Sequence, residues 1–230
     1  MVAAEARRAL DRAYALADAG EFARALIEAD CVVSLEPGLA EAHTQRGWAL
    51  ENLGSMRLFE ARQAYETALE LDRSDLWAAL GLATVLTRFG ELDQADTLYR
   101  RVVTEAPDRL AAEPDLAEAL GWAQYRVGMY SAAIETLRLG IRADPRDVAV
   151  RLDLALVMLV AGLREEALSE LGDAIRAADP SRRGHLAVAL DDLEAALVER
   201  PGLTTFGGAE ARAMLAAALG RVSPRPAAVR

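Results

Sequence analysis

The fold of this chain is decided by residues 80–107, LGLATVLTRFGELDQADTLYRRVVTEAP. At the centre of this stretch Gly90 can adopt the positive φ that ends a helix, and Pro107 can end the helix that follows. Ala83 lies seven residues before the glycine and Ala95 five residues after it, so two helices can cross closely at this point. The stretch therefore predicts two short antiparallel helices joined by a tight turn.

The same pattern recurs along most of the chain. Comparable glycines lie 34, 36, 38 and 34 residues apart, at Gly20, Gly54, Gly90, Gly128 and Gly162. Self-similarity at this period is typical of solenoids, in which each unit buries its apolar side on its neighbours. We therefore predict an all-α solenoid over residues 1–181, built of five helix-turn-helix units at about 6–39, 40–75, 76–109, 114–147 and 148–181.

The spacing and residue types resemble the tetratricopeptide repeat over roughly residues 6–181. This resemblance implies that the units curve into a right-handed superhelix and that the first helix of each unit lines a concave groove where ligands commonly lie. It also implies a non-catalytic scaffold or adaptor that binds a protein or peptide segment in that groove.

Two units depart from the regular spacing. Two extra residues between Gly54 and Ala61 predict a longer turn, or an extra partial helical turn. Residues 110–113 are an insertion between the third and fourth units, and Pro114 is expected to be the first helical residue after it. We expect this insertion to be the hinge of the solenoid.

The pattern changes after Ser181. Leu186, Leu190, Leu193 and Leu197 follow a 4-3-4 spacing, which predicts an amphipathic helix, and a second short helix is expected at about 209–219. Residues 182–220 are therefore predicted to cap the fifth unit, whose inward positions are apolar, although a partner helix could cover it instead. Residues 221–230 are predicted to be disordered.

The repeat glycines also locate the inward positions of each first helix. Counting back from them places all three tryptophans in the groove, where tryptophan and arginine often dominate binding energy. The alternative is that the tryptophans only pack against neighbouring first helices. The candidate groove residues are Tyr14, Trp48, Trp77, Thr84, Arg88, Glu118, Trp122, Tyr125 and Arg126.

The composition gives little support to catalysis or to a metal site. All 26 basic residues are arginine, so the chain has no phosphate-loop or Schiff-base lysine; codon bias in a GC-rich bacterial genome explains this most simply. Two histidines and one cysteine offer no zinc-ligand spacing, and Cys31 is expected to be buried or inert. The adjacent carboxylates Asp191 and Asp192 are expected to point to solvent. We predict that the chain is not an enzyme and has no cofactor and no metal.

Charge and hydropathy limit the classes of partner and the cellular compartment that the sequence favours. The net charge of −10 argues against non-specific nucleic-acid binding. The most apolar segment, residues 152–161, is about ten residues long, whereas a membrane span needs about 20. The start of the chain lacks the apolar stretch of a secretory signal, and a single cysteine favours a reducing compartment. These features predict a soluble, cytoplasmic protein.

Two other functions remain open from the sequence. The chain could be a structural subunit of a larger assembly, contacting other subunits through its convex face or its C-terminal helices. It could also be a regulatory sensor whose groove takes a small ligand or a signalling peptide, although no output domain is attached. The oligomeric state is not predicted.

Overall fold

A computed structural model describes residues 2–222, and within that range the chain has twelve α-helices and no strand. The first ten helices form five helix-turn-helix pairs, so the predicted all-α solenoid is confirmed. The pairs are α1 (Val2–Asp18) with α2 (Phe22–Leu35), α3 (Ala40–Asn52) with α4 (Leu58–Leu71), α5 (Leu76–Phe89) with α6 (Leu92–Glu105), α7 (Leu116–Arg126) with α8 (Tyr130–Ala143), and α9 (Val148–Val160) with α10 (Arg164–Ala177).

The first helices form the inner layer of the solenoid. Helices α1, α3, α5, α7 and α9 pack successively against one another, whereas the second helices of adjacent pairs make no comparable contact. A layer whose helices approach one another more closely than those of the other layer lies on the inside of the curve. The inner face is therefore made by the first helix of each pair, as the resemblance to the tetratricopeptide repeat implied.

The turn between α5 and α6 shows how the glycine of the repeat works. Gly90 has φ 77° and ψ 12°, a left-handed conformation that is costly for other residues. Its N–H donates to the carbonyl of Thr87 at 3.0 Å, and the N–H of Glu91 donates to the carbonyl of Leu86 at 2.9 Å. These bonds satisfy two carbonyls at the end of α5, so the helix stops there and the chain reverses.

Small residues in the inner helices make room for a large residue of the outer layer. The ring of Tyr65 on α4 is 2% exposed and lies between α3 and α5, against Gly47 and Gly81. A Cβ built on Gly81 would lie 2.2 Å from Cζ of Tyr65, and one on Gly47 would lie 2.7 Å from Cε1. The Tyr65 hydroxyl donates to Oε2 of Glu51 at 3.0 Å, which fixes the depth of the ring.

The two departures from the regular repeat spacing, after Gly54 and at residues 110–113, have different local structures. The extra residues of the second unit form a 3₁₀ turn, Ser55–Arg57, which is the predicted partial turn. Pro114 was expected to begin α7, but this helix begins at Leu116. The residues before it form a tighter turn, with hydrogen bonds between residues three positions apart: the N–H of Ala117 donates to the carbonyl of Pro114 at 3.1 Å.

The insertion is held by ionic contacts. The guanidinium of Arg109 donates to both carboxylate oxygens of Glu113, at 2.9 and 2.7 Å, and also to the carbonyl of Ser74 at 2.5 Å. A bidentate pair of this kind fixes geometry as well as adding attraction. The segment is therefore tied to the third unit, and its role as a hinge stays a prediction.

The C-terminal helices are α11 (Arg183–Glu199) and α12 (Gly208–Val222), separated by a 3₁₀ turn, Pro201–Thr204. Helix α11 packs on α9, and α12 packs on α10 and α11. They bury the inward leucines of α9, so the prediction that these helices cover the fifth unit is confirmed; the leucines are Leu152, Leu156 and Leu159, between 2% and 8% exposed. Helix α12 reaches two residues into the segment predicted to be disordered, and residues 223–230 lie outside the described residues.

Two sequence expectations concern the surface of the chain. Among the described residues, no helix is long and apolar enough to cross a bilayer. Cys31 was expected to be buried or inert; it is exposed on α2, so it is not buried, and its inertness stays a prediction. The position of this cysteine on the outer layer, away from the inner helices, explains its exposure.

Candidate functional site

The concave face of the solenoid is crossed by the chain's own helix α11. At its first turn the backbone of Gly184 lies against the end of α1, so close that a Cβ there would be 2.3 Å from the carbonyl oxygen of Ala17. Asp18 at the end of α1 faces Nη1 of Arg182 and Nε2 of His185, each at 3.3 Å. These contacts join residues more than 160 positions apart in sequence and bring the two ends of the solenoid together.

The last turn of α11 is held at the fourth unit. The carboxylate of Glu199 contacts Nη2 of Arg126 at 3.4 Å. The guanidinium of Arg200 donates to the hydroxyl of Tyr130 at 3.2 Å and lies 5.9 Å from the ring centroid of Tyr125. Helix α11 thus runs from the end of α1 to the start of α8, along the side of the groove where the first helices end.

A cavity of about 640 Å³ remains between α11 and the inner face of the five units. Its volume lies in the range of sites for small ligands or short peptide segments. Seven of the nine candidate groove residues line it: Tyr14, Trp48, Trp77, Thr84, Arg88, Glu118 and Trp122.

The other two candidates do not reach this cavity. Tyr125 is 3% exposed, and Arg126 is engaged with Glu199. Both lie beneath the last turn of α11. This turn covers the part of the groove in which a partner was expected from the sequence. A role of these two residues in partner binding stays a prediction, because the course of α11, which depends on contacts with distant units, keeps them from the cavity.

The tryptophans combine packing with access to the cavity. Trp48 meets Phe22 edge to face, with centroids 5.9 Å apart, and Trp122 stacks obliquely on Tyr125 at 5.2 Å. Trp48 and Trp77 are partly buried, and Trp122 is 9% exposed. Ring contacts hold Trp48 and Trp122, and all three tryptophans also line the cavity.

Most charges on the cavity wall are negative. Nine carboxylates line the cavity, accompanied by Arg88 and His185: Asp18, Glu41, Glu51, Asp75, Glu113, Asp115, Glu118, Asp153 and Asp192. Within the described residues, no group of three or more potential ligands is arranged to hold a metal ion. The carboxylates are thus spread around the wall.

Some of these carboxylates already have partners. Asp75 caps α5 by accepting from the N–H of Ala78 at 2.8 Å, and it accepts a second bond from the hydroxyl of Thr44 at 2.6 Å. Glu51 accepts from Tyr65 and lies 3.6 Å from Nη2 of Arg88. These groups therefore belong to the architecture of the wall.

Three other carboxylates, Glu118, Asp153 and Asp192, make no hydrogen bond or ion pair with the described residues. Burial, reinforced by the charges of neighbouring carboxylates, raises the pKa of Glu118 and of Asp192 to about 7 and raises the pKa of Asp153 well above its ordinary value. The sequence pattern did not predict two of them, Asp192 and Asp153. Asp192 was expected to point to solvent, and the fifth unit, where Asp153 lies, was expected to carry no inward charge.

Gln45 is a further unsatisfied group on the cavity wall. This side chain on α3 is 3% exposed, and its Nε2 has no hydrogen-bond partner. An amide buried without partners is costly, so a group that could pair with it from within the cavity would be favoured. No pattern in the sequence distinguishes Gln45, because its burial results from the packing of α3 against its neighbours.

The acidic wall predicts that raising the pH destabilises the closed structure. Because the folded pKa values of Glu118 and Asp192 lie above the ordinary values, folding favours their protonated forms, and that contribution is lost as pH rises through about 7. His185 acts in the same direction: burial lowers its pKa, but the hydrogen bond to Asp18 and the negative charges of Glu118 and Asp18 outweigh burial and raise it. The charged groups around the two carboxyls are Asp18, Glu51, Arg88, Asp115, Arg126, Asp147, Asp153, His185 and Asp191.

We therefore expect the melting temperature to fall by several degrees between about pH 5 and about pH 8, since about 1 kcal/mol shifts Tm by about 2–4 °C in a chain of this size. Circular dichroism at both pH values measures the change. Asp192→Asn removes one of the titrating groups and should reduce the fall. An equal or higher Tm at the higher pH would contradict the burial of these carboxyls.

Comparisons with solved structures find other repeat proteins. PilF of Pseudomonas aeruginosa is 15% identical, with a TM-score of 0.49, and the match covers 97% of this chain and 94% of PilF. YrrB, described as a TPR protein with an unusual peptide-binding site, is 21% identical, with a TM-score of 0.41 and coverage of 78% and 89%. MamA of Desulfovibrio magneticus is 19% identical, with a TM-score of 0.42 and coverage of 75% and 94%. At these identities and scores, the likenesses carry no inference about ligands or partners.

No curated protein sequence is significantly similar to the chain. The family model for the tetratricopeptide repeat matches residues 57–120, which span α4, α5, α6 and the start of α7. This matched region repeats the geometry of the other helix pairs, including the positive φ of the turn glycine. Residues 57–120 therefore match the tetratricopeptide-repeat family.

Proposed function

We propose that this chain is a non-catalytic protein-interaction scaffold that holds a short segment of a partner protein in the cavity between α11 and the first helices. One observation carries the proposal: seven of the nine groove residues, including all three tryptophans, line that single cavity. Tetratricopeptide-repeat proteins bind protein or peptide partners, which supports a segment of a protein as the ligand. With one cysteine in the sequence, a reducing compartment such as the cytoplasm suits this role.

A partner segment would enter the cavity from the side opposite α11. Helix α11 lies against the ends of the first helices, as its contacts with Asp18 and Arg126 show. On the opposite side Tyr14 is 37% exposed, Glu41 is partly exposed and Asp115 is exposed. A partner segment would enter there, with the first helices as the floor and α11 as the far wall.

The tryptophans would supply most of the binding energy. Trp48 and Trp77 belong to adjacent first helices and are only partly buried, so each ring has area left to cover. Because packing already holds Trp48 against Phe22, little side-chain entropy is lost on binding. Rigid aromatic anchors of this kind are typical hot spots.

Replacing both anchors tests the function. Peptides selected on the wild-type chain from a random 12-residue display library should bind the Trp48→Ala/Trp77→Ala variant at least about tenfold more weakly, because hot-spot truncation costs about 2 kcal/mol or more. Fluorescence anisotropy measures the affinity, and circular dichroism checks that the variant is folded. Ile27→Ala, at a 68% exposed position on α2, is the matched control and should leave the affinity unchanged.

The opposite pattern would overturn the proposal. If the selected peptides bind the double variant as tightly as wild type, the cavity is not their site. If Ile27→Ala weakens them instead, the outer face of α2 is the contact surface.

Truncation is not a clean test of the assembly hypothesis. Removing the chain after Ser181 would delete α11 and α12 and expose Leu152, Leu156 and Leu159. Any loss of assembly could then reflect damage to the fifth unit. Light scattering on the whole chain, with substitutions at exposed positions, is the appropriate measurement.

A further inference from the structure

The chemistry of the cavity wall indicates which kind of side chain it accepts. We infer that the cavity recognises a cationic group, an ammonium or a guanidinium, carried by a basic side chain of the bound segment. This inference rests on the proposed function for the segment, but the charge of the group follows from the wall itself. Three features of the wall carry it.

The first feature is the set of carboxylates without partners. Glu118 on α7, Asp153 on α9 and Asp192 on α11 border the same volume, and none is paired with a described residue. Each of the three is partly buried. Removing an unpaired carboxylate from water is costly, and a bound cation would offset that cost. Arg88 acts on Asp192 only at a distance, because its ion pair is with Glu51 at 3.6 Å, and its side chain is 37% exposed.

The second feature is the aromatic part of the wall. Trp48, Trp77 and Trp122 come from three successive first helices, α3, α5 and α7. A cation over the face of an indole is attracted by the negative charge of the ring, and this attraction is stronger in a site shielded from water. Indoles combined with unpaired carboxylates suit an ammonium or guanidinium better than an anion or a neutral apolar group.

The third feature is Gln45, which favours a basic residue within a peptide over a free amine as the source of the cation. Its buried Nε2 is a donor without an acceptor. A peptide carries a backbone carbonyl beside its basic side chain, and this carbonyl could accept from the amide. A free polyamine has no acceptor, so it would leave Gln45 unsatisfied. The wall therefore favours a basic residue within a peptide over a free amine.

A bound metal ion fits the wall less well. Metal sites need several ligands converging on one point. Among residues 2–222, no three potential ligands do so. A larger organic cation can contact carboxylates that are spread around its surface.

Oriented peptide libraries on the whole chain test the inference. Two libraries of seven-residue peptides differ only at a fixed central position, which holds arginine or citrulline; citrulline has nearly the same shape without the charge. The immobilised chain should retain the arginine library at least about tenfold more strongly, as expected when a buried charge loses its counter-charge. Asp192→Asn and, separately, Asp153→Asn should reduce that preference. Glu135→Gln, at a side chain 70% exposed on α8, should leave it intact.

Each result decides a specific point. Equal retention of both libraries overturns the cationic preference and leaves the peptide-binding function standing. Retention of free agmatine or spermidine, with neither library bound, supports the cationic site but removes the proposed peptide function. Failure of every cationic probe to bind overturns the inference. A preference for arginine that survives both aspartate substitutions would also overturn it, since the charge would then be read elsewhere.

Discussion

Gly184→Ala is expected to detach the first turn of α11 from α1. The added Cβ would lie 2.3 Å from the carbonyl oxygen of Ala17 and 2.7 Å from that of Asp18, so it meets backbone that cannot rotate away. Overpacking of this kind costs about 1–3 kcal/mol. Helix propensity acts in the opposite direction, because alanine is favoured over glycine within a helix by about 0.5–1 kcal/mol. A loss of stability in Gly184→Ala would therefore indicate that α11 packs on α1, whereas a gain would indicate that helix propensity dominates.

Hydrogen exchange and tryptophan fluorescence measure the release. The amides of the first turns of α11 should exchange faster in Gly184→Ala, and acrylamide should quench the tryptophans more strongly because the cavity opens. Gly202→Ala, in the turn after α11, is the matched control, since no atom lies within 4 Å of its added Cβ. Unchanged exchange in Gly184→Ala would mean that α11 does not rest on α1.

Gly81→Ala is expected to destabilise the solenoid between its second and third units. The new Cβ would lie 2.2 Å from Cζ of Tyr65, a ring that is 2% exposed and held by its hydrogen bond to Glu51. We expect the free energy of unfolding to fall by about 1–3 kcal/mol, again against the direction of helix propensity. Urea unfolding followed by circular dichroism measures the change.

A control and a rescue make this second test specific. Gly38→Ala lies in a turn where the added Cβ meets nothing within 4 Å, and it should be nearly neutral. Tyr65→Leu should cost stability alone but cost less in the Gly81→Ala background, because the smaller side chain relieves the contact. Additive losses would show that Gly81 and Tyr65 do not interact as described.

The repeat pattern predicted the features that depend on local spacing. The period of the glycines located the helix pairs and the inward positions, and with them all three tryptophans, because helix geometry fixes which positions share a face. The apolar inward face of α9 also predicted its cover. The start of α7 was predicted two residues too early, because a hydrogen-bonded turn from Pro114 to Ala117 precedes the α-helix.

Features that depend on α11 could not be read from spacing. The leucines at 186, 190, 193 and 197 predicted an amphipathic helix, but its course across the groove depends on the contact of Gly184 with a residue pair more than 160 positions earlier. That course places Asp192, partly buried, on the cavity wall, although its adjacency to Asp191 had suggested a solvated side chain. It also covers Tyr125 and Arg126. Long-range packing therefore decided which part of the predicted groove stays accessible.

The course of α11 also has a mechanical consequence. Units of a solenoid contact only their neighbours, so an open solenoid can flex along its length. Here Arg182 and His185 connect the last part of the chain to Asp18 in the first unit. This closure restrains the curvature of the inner face and keeps the cavity walls at a fixed separation.

Chemical cross-linking at the start of α11 tests the placement of this helix, on which the cavity depends, most directly. In a Cys31→Ser background, Asp18→Cys combined with Arg182→Cys replaces two side chains whose ionic groups lie 3.3 Å apart. A short bismaleimide should join this pair within one chain, as detected by mass spectrometry, and should not join Asp18→Cys to Val198→Cys near the far end of α11. Failure of the first pair, or equal cross-linking of both pairs, would contradict a helix that spans the groove from the first unit to the fourth.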